Sequence, residues 1–276
     1  MLFSQADSQG RRKQGLNQRN DYLGYLRLTY RLPLILLHLL IGTPVTVLCQ
    51  TRPGWAIKVG QRPLSQVVSR WWSGVICWIF GLRRRVSGEF TPGPNLVAAN
   101  HISWIDIVLL HSTSPMAFVA KAEIGEWPLV GWLAKSGGSV FHQRGSHDSA
   151  SGVAAVMAER LREGRKIAIF PEGGILPGVG VKRFHARLFA AAIDTGTLVQ
   201  PVMLRFTRDG ERYDDITFLP REHFVGNFFR LLMQKKCIAE VHALPQIDPA
   251  GKQRRQLAGE AESVVRGAFE SDISNG

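Results

Sequence analysis

The sequence predicts an α/β fold, a mixed and partly parallel sheet covered by helices, preceded by an N-terminal membrane-associated helical segment. Three observations carry that expectation. Beyond residue 95, short apolar runs of strand length alternate with helical patterns. Before residue 90, two uncharged apolar runs are bracketed by basic side chains. The charge is also unevenly placed: residues 1–90 hold 13 Lys/Arg against 3 Asp/Glu, whereas residues 91–276 hold 21 against 19.

The first apolar run, residues 32–50, has 19 positions without a formal charge. As a helix it is about 28 Å long, just enough for a bilayer core. Pro33, Gly42 and Pro44 interrupt it. The second run, residues 71–82, is too short to span. Arg11, Arg12, Lys13, Arg19, Arg27 and Arg31 precede the first run, and Arg83, Arg84 and Arg85 close the second. Both clusters favour the cytoplasmic side, which two helices lying in one leaflet allow and a single span does not. Trp55, Trp71, Trp72 and Trp78 suit an interfacial belt.

The strands expected next are residues 96–99, 117–120, 139–141, 166–170, 198–204 and 238–242. Between them, helical patterns cover 105–111, 127–135, 150–162 and 184–195, the last closed by Gly196. A polar helix follows Pro249. The organisation is therefore a basic tail with membrane-embedded or interfacial helices over 1–85, an α/β domain over 86–250, and a C-terminal helix and tail over 251–276.

Composition excludes several classes. A 276-residue chain with 45% hydrophobic and 20% charged residues is not disordered. Cys49, Cys77 and Cys237 form no CxxC pair, which argues against a disulfide scaffold or a Cys-rich zinc module. The net charge of +12 coincides with apolar runs rather than with aromatic stacking platforms on a soluble face, so no nucleic-acid partner is expected.

Three constellations can carry chemistry. Asn100-His101-Ile102-Ser103-Trp104-Ile105-Asp106 follows a strand and opens a helix, where sites of α/β sheets lie. On a continuous helix His101 and Asp106 diverge by about 140°. With Ser103 as the cap, Asp106 sits in the first turn and His101 can fold back onto it, leaving one ring nitrogen as a base. Ser103-x-x-Asp106 also reads as an ordinary capping pair. In Phe170-Pro171-Glu172-Gly173-Gly174, the glycines let backbone approach a ligand. There Glu172 can orient a substrate hydroxyl or hold a neighbouring loop, and a plain strand-end turn is the other reading. Lys121 and Arg144 follow two strands. If those strands are neighbours, both cations face one sheet end and suit an anion; otherwise they are solvated surface charges.

In this order and spacing, the pieces resemble the lysophospholipid acyltransferase family typified by 1-acylglycerol-3-phosphate acyltransferases. His101-x4-Asp106 is similar to that family's first motif. The stretch from Lys121 to Arg144 is similar to the second, Phe170-Pro171-Glu172-Gly173 to the third, and Val199-Gln200-Pro201-Val202 to the fourth. The resemblance implies a membrane enzyme in which His101, oriented by Asp106, deprotonates a lysolipid hydroxyl. The hydroxyl then attacks an acyl thioester carried on coenzyme A or acyl carrier protein. It implies no metal, no cofactor beyond that co-substrate and no covalent acyl-enzyme, with Ser103 serving as a cap. It places Lys121, Arg144, Glu172, Gly173 and Gly174 at the substrates, with membrane lipids as partners at the cytoplasmic face of the inner membrane. The expected acceptor is 1-acylglycerol-3-phosphate.

One departure bears on that acceptor. The family's FPEG block commonly continues with Thr and a polar residue, and here Gly174-Ile175 follows, with Lys182 and Arg183 as possible substitutes. The stretch Phe184-x3-Leu188-Phe189 resembles a branch that includes lyso-ornithine-lipid acyltransferases, which is the alternative acceptor class. A non-catalytic membrane-surface adaptor is the alternative outside enzymes.

Overall fold

A computed structural model of the chain describes residues 22–126, 131, 139–142, 147–175 and 180–271. The N-terminal part holds helix α1 (Tyr22–Cys49), a short helix α2 (Arg52–Ala56), a hairpin of β1 (Lys58–Val59) and β2 (Arg62–Pro63), and helix α3 (Leu64–Ile79). The body runs β3 (Leu82–Ser87), β4 (Asn95–Ala99), α4 (Ile105–Thr113), β5 (Ala117–Lys121), β6 (Val140–His142), α5 (His147–Arg162) and β7 (Lys166–Ile169). It continues with α6 (Ala190–Thr195), β8 (Val199–Arg208), β9 (Glu211–Arg212), α7 (Phe224–Met233), β10 (Cys237–Ala243) and α8 (Arg254–Ser271).

The main sheet has the order β3-β10-β8-β4-β7-β5-β6, with β9 paired to β8. Only the β10–β8 and β8–β9 pairs are antiparallel. The sheet is thus mixed and mostly parallel, with helices on both faces. Strand alternation divides the core. Val97 and Ala99 point to one side, packed with Ile105, Leu109 and Leu110 of α4, Ile76 of α3 and Leu231 of α7. Leu96 and Ala98 point to the other, with Met157 of α5, Ala191 of α6 and Val265 of α8. Burial on both faces is why these strands read as continuous apolar runs.

Three expectations are corrected. The cluster Arg83–Arg84–Arg85 is the middle of strand β3, paired in parallel with β10 at the sheet edge. An edge strand leaves its arginines outward, so the run carries charge without an alternating pattern. Arg84 Nη1 reaches back to the Ser112 carbonyl at the end of α4, 3.2 Å away. The pattern over 184–195 splits into a 3₁₀ turn, Ala186–Phe189, and the short helix α6. Strand β8 runs past its expected end, to Arg208. Pro201 is tolerated in β8 because the ladder with β10 ends at Val202. The helix expected over 127–135 lies, apart from Gly131, outside the described residues.

Helix α1 is inverted relative to a soluble amphipathic helix. Its buried residues include Arg31, His38, Gly42, Thr43 and Thr46, whereas Leu36, Leu40, Ile41 and Leu48 are exposed. It is the one helix among the described residues long and apolar enough to cross a membrane. Its polar stripe is held along its length. Arg31 Nη1 donates to the carbonyls of Leu232 and Gln234 at 3.0 and 2.8 Å, at the end of α7. His38 Nε2 lies 3.0 Å from the Trp72 carbonyl of α3, and Gln50 Nε2 donates to Ser69 Oγ at 2.7 Å. Polar groups face the body and leucines face outward, which suggests membrane association.

Candidate active site

Strands β4 and β7 are adjacent and parallel, and the chain leaves their carboxyl ends towards opposite faces. From β4 it enters α4 on one side; from β7 it leads to α6 on the other. Such a divergence opens a crevice at the strand ends, the usual ligand site of α/β sheets. His101 stands just after β4, and Phe170-Pro171-Glu172-Gly173 just after β7.

The β4 loop is anchored first. Asn100 Nδ2 donates to the Leu204 carbonyl at 2.9 Å, and its Oδ1 accepts the Leu204 N–H at 2.7 Å, fixing the loop to β8. Asp106, fully buried at 0% exposure, gathers three donors on one oxygen. Its Oδ2 accepts the N–H groups of Ile102 at 2.6 Å and Ser103 at 2.8 Å, and lies 2.9 Å from His101 Nδ1. With a carboxylate acceptor beside it, Nδ1 carries the proton, so Nε2 keeps its lone pair. The imidazole stacks on Phe170 with ring centroids 3.9 Å apart and planes at 14°. The expected fold-back of His101 onto Asp106 is therefore present.

Its expected device is different. The helix begins at Trp104 without a side-chain cap, and Ser103 Oγ donates instead to the Ile216 carbonyl at 2.9 Å. Asp106 itself takes the loop's N–H groups. A carboxylate accepts these N–H bonds more strongly than a hydroxyl does, and it gains from the positive helix end.

Glu172 ties the two strand ends together. Its Oε2 accepts the His101 backbone N–H at 3.0 Å, and its Oε1 accepts that of Lys182 at 2.9 Å. Burial pushes this carboxyl above its ordinary range, and the two N–H bonds oppose the shift. Of its two sequence readings, holding a neighbouring loop is the one its contacts match.

Gly173 has φ +76°, and a Cβ there would meet the His185 ring at 3.2 Å, so the turn requires glycine. Lys182 Nζ donates to the Gly174 carbonyl at 2.6 Å. One of the three ammonium N–H groups of Lys182 thus closes the loop. Strands β5 and β6 do pair in parallel, with Lys121 opposite His142. The Lys121 side chain and all of Arg144 lie outside the described residues.

Sequence spacing missed several supporting groups. Phe170 is the stacking partner of the imidazole. Trp104 Nε1 donates to Asn227 Oδ1 of α7 at 2.8 Å. Asn227 Nδ2 in turn donates to Glu222 Oε2 at 2.9 Å, and Arg230 Nε to Glu222 Oε1 at 2.7 Å. Phe170 had a sequence signal, since it opens the FPEG block. Asn227, over 120 residues from Trp104, had none.

The chain is similar to known acyltransferases. Residues 83–205 match the family model described as Acyltransferase. The chain is 39% identical over 204 residues to the lyso-ornithine lipid O-acyltransferase of Pseudomonas aeruginosa, covering 74% of this chain and 79% of that one. It is 33% identical over 186 residues to the 1-acyl-sn-glycerol-3-phosphate acyltransferase of Neisseria gonorrhoeae, covering 66% and 71%. The fold matches the crystal structure of the 1-acyl-sn-glycerophosphate acyltransferase from Thermotoga maritima, with a TM-score of 0.65 at 22% identity over 89% of this chain and 95% of that one. The chain belongs to the lysophospholipid acyltransferase family and is an O-acyltransferase.

Proposed function

We propose that this enzyme acylates the hydroxyl of a lyso-ornithine lipid, with the His101–Asp106 pair as the base. The observation that carries the chemistry is Asp106 Oδ2 at 2.9 Å from His101 Nδ1 in the crevice between β4 and β7. His101 Nε2 removes the proton from the acceptor hydroxyl as its oxygen attacks the thioester carbonyl. Asp106 stabilises the imidazolium that forms. We assign the tetrahedral oxyanion to backbone N–H groups of the FPEG turn and to Lys121 at the carboxyl end of β5. Collapse breaks the C–S bond, and the departing thiolate takes the proton from His101. The ester and the free thiol of coenzyme A or acyl carrier protein leave.

The acceptor reading differs from the first expectation, 1-acylglycerol-3-phosphate. The Pseudomonas relative is more similar and covers more of the chain than the Neisseria one. Gly174-Ile175 agrees: where the family commonly has Thr and a polar residue, the FPEG turn itself carries no polar side chain for a phosphate headgroup. An ornithine headgroup carries a carboxylate and an amine and does not require one. Phosphatidic acid synthesis is the second reading, supported by the Neisseria match.

The contacts along α1 favour a helix pair lying in one leaflet. His38 and Gln50 tie α1 to its neighbour α3, and Arg31 ties it to the end of α7, so the two helices lie side by side against the body. We place the body on the cytoplasmic side, where thioester donors are found.

The test is acyl transfer by the purified full chain in mixed micelles, with the two lysolipids in competition and products identified by mass. A kcat/KM at least about tenfold higher for lyso-ornithine lipid supports the reading, since a site built for one headgroup discriminates by that order or more. Preference for 1-acylglycerol-3-phosphate overturns it.

A further inference from the structure

A cavity of about 1090 Å³ lies among α5, α6 and α8. Small residues open it: Ala154 and Ala155 on α5, Ala190 on α6 and Gly259 on α8. Arg183, Arg187, Arg254 and Arg255 line it, and all four are exposed. Among the described residues none of the four has a carboxylate partner. Two acids also line the cavity. Glu262 is already engaged by the Phe184 N–H and by Arg266, and Asp194 is one charge against four.

The local electrostatics ask for an anion. Helix α8 is 18 residues long and has no acidic residue in its first turn. Arg254 and Arg255 occupy that turn, where the helix macrodipole is positive and cations are disfavoured. Arg183 and Arg187 add two more positive groups to the lining. An anion relieves this repulsion and gains from both the guanidiniums and the helix end.

The position says which substrate. Gly173 forms part of the cavity wall, one residue from the Glu172 that holds His101. The cavity therefore adjoins the reacting crevice. It lies on the sheet face covered by α5, α6 and α8, whereas the lipid-facing α1 and α3 cover the other face. The lipid acceptor arrives from the α1–α3 side, and a water-soluble anion has the opposite side open to it.

We infer that this cavity receives the phosphate-bearing end of the acyl thioester donor. The inference rests on the acyl-transfer reading. The pantetheine phosphate is common to coenzyme A and acyl carrier protein. From the cavity, the pantetheine arm passes Gly173 to deliver the thioester beside His101 Nε2. Four arginines also suit the additional phosphates of coenzyme A or the acidic surface of a carrier protein.

The test measures binding of unacylated coenzyme A, of holo acyl carrier protein and of pantetheine without phosphate to the full chain in micelles, with no acceptor present. The comparison is with the double variant Arg254→Gln/Arg255→Gln. At least one phosphate-bearing carrier binds the wild type, weakening with salt. The double variant binds it about tenfold or more weakly, and its KM for the acyl donor rises while its KM for lysolipid holds. Binding of coenzyme A names the nucleotide as the source of the phosphate; binding of the holo protein alone names the carrier. The inference is overturned if neither carrier binds the wild type, if the variant binds as tightly, if pantetheine alone binds as well, or if the variant raises the lysolipid KM instead. Carrier binding without acylation of a lyso-ornithine lipid removes the acceptor reading and leaves the cavity assignment standing.

Discussion

Glu172 Oε2 accepts the backbone N–H of His101 at 3.0 Å, joining two loops that are 71 residues apart in the chain. The same carboxylate holds Lys182 with its other oxygen, so a single side chain sets the spacing of the crevice walls. In this structure Glu172 acts through the placement of His101, which makes it a positioning residue.

Glu172→Gln replaces one acceptor oxygen with an NH₂ that faces a backbone donor. An unsatisfied buried donor costs about 1–3 kcal/mol. The expected outcome is a lower melting temperature and a reduced kcat, with the donor KM little changed. Equal melting curves and equal turnover for variant and wild type contradict the tie.

Asp106→Asn keeps an oxygen for the two loop N–H groups but removes the charge that stabilises the imidazolium. Turnover is expected to fall by about 10² or more, in the range of general-base effects, with a melting temperature that drops less than for Asp106→Ala. A variant of near-normal turnover shows that the carboxylate does not serve His101.

Gly173→Ala introduces a Cβ at φ +76°, 3.2 Å from the His185 ring. A positive φ alone costs a non-glycine residue about 1–2 kcal/mol. Both stability and turnover are expected to fall, since the turn carries Glu172. Thermal melts and initial rates check this, and a neutral result shows that the turn has slack.

Burial raises the Glu222 carboxyl, but hydrogen bonds from Arg230, Asn227 and the Leu219 N–H outweigh that and hold it at about 2, against an ordinary value of 4.5. Because the folded value is depressed, its stabilisation is fully present above about pH 4.5 and is lost as pH falls towards 2. Glu222→Gln is therefore expected to melt below the wild type at pH 7, with the gap closing as pH falls from about 4.5 towards 2. A gap independent of pH excludes the Glu222 charge as its cause. The network passes through Asn227 to Trp104, next to the catalytic loop.

Much of the sheet was legible because β4, β7 and β8 are buried on both faces and leave unbroken apolar runs. Strand β3 was not, since its arginines point outward at an edge and resemble a membrane-flanking cluster. Helix α7 went unread because ten mostly apolar residues do not separate helix from strand by periodicity. At the site, the contact between His101 and Asp106 followed from local geometry. The grip of Asn100 on Leu204 and of Glu172 on His101 did not, because each closes a loop of 71 residues or more that spacing cannot reveal.

The most direct measurement is the turnover of His101→Ala on lysolipid and acyl thioester, beside a melting curve showing that the variant is folded. Its Nε2 is the group said to take the hydroxyl proton, and the imidazole is 15% exposed, so its loss need not unfold the body. A folded variant slowed by about 10²–10⁴ is the expected result. A folded variant that transfers acyl groups at close to the wild-type rate contradicts the account.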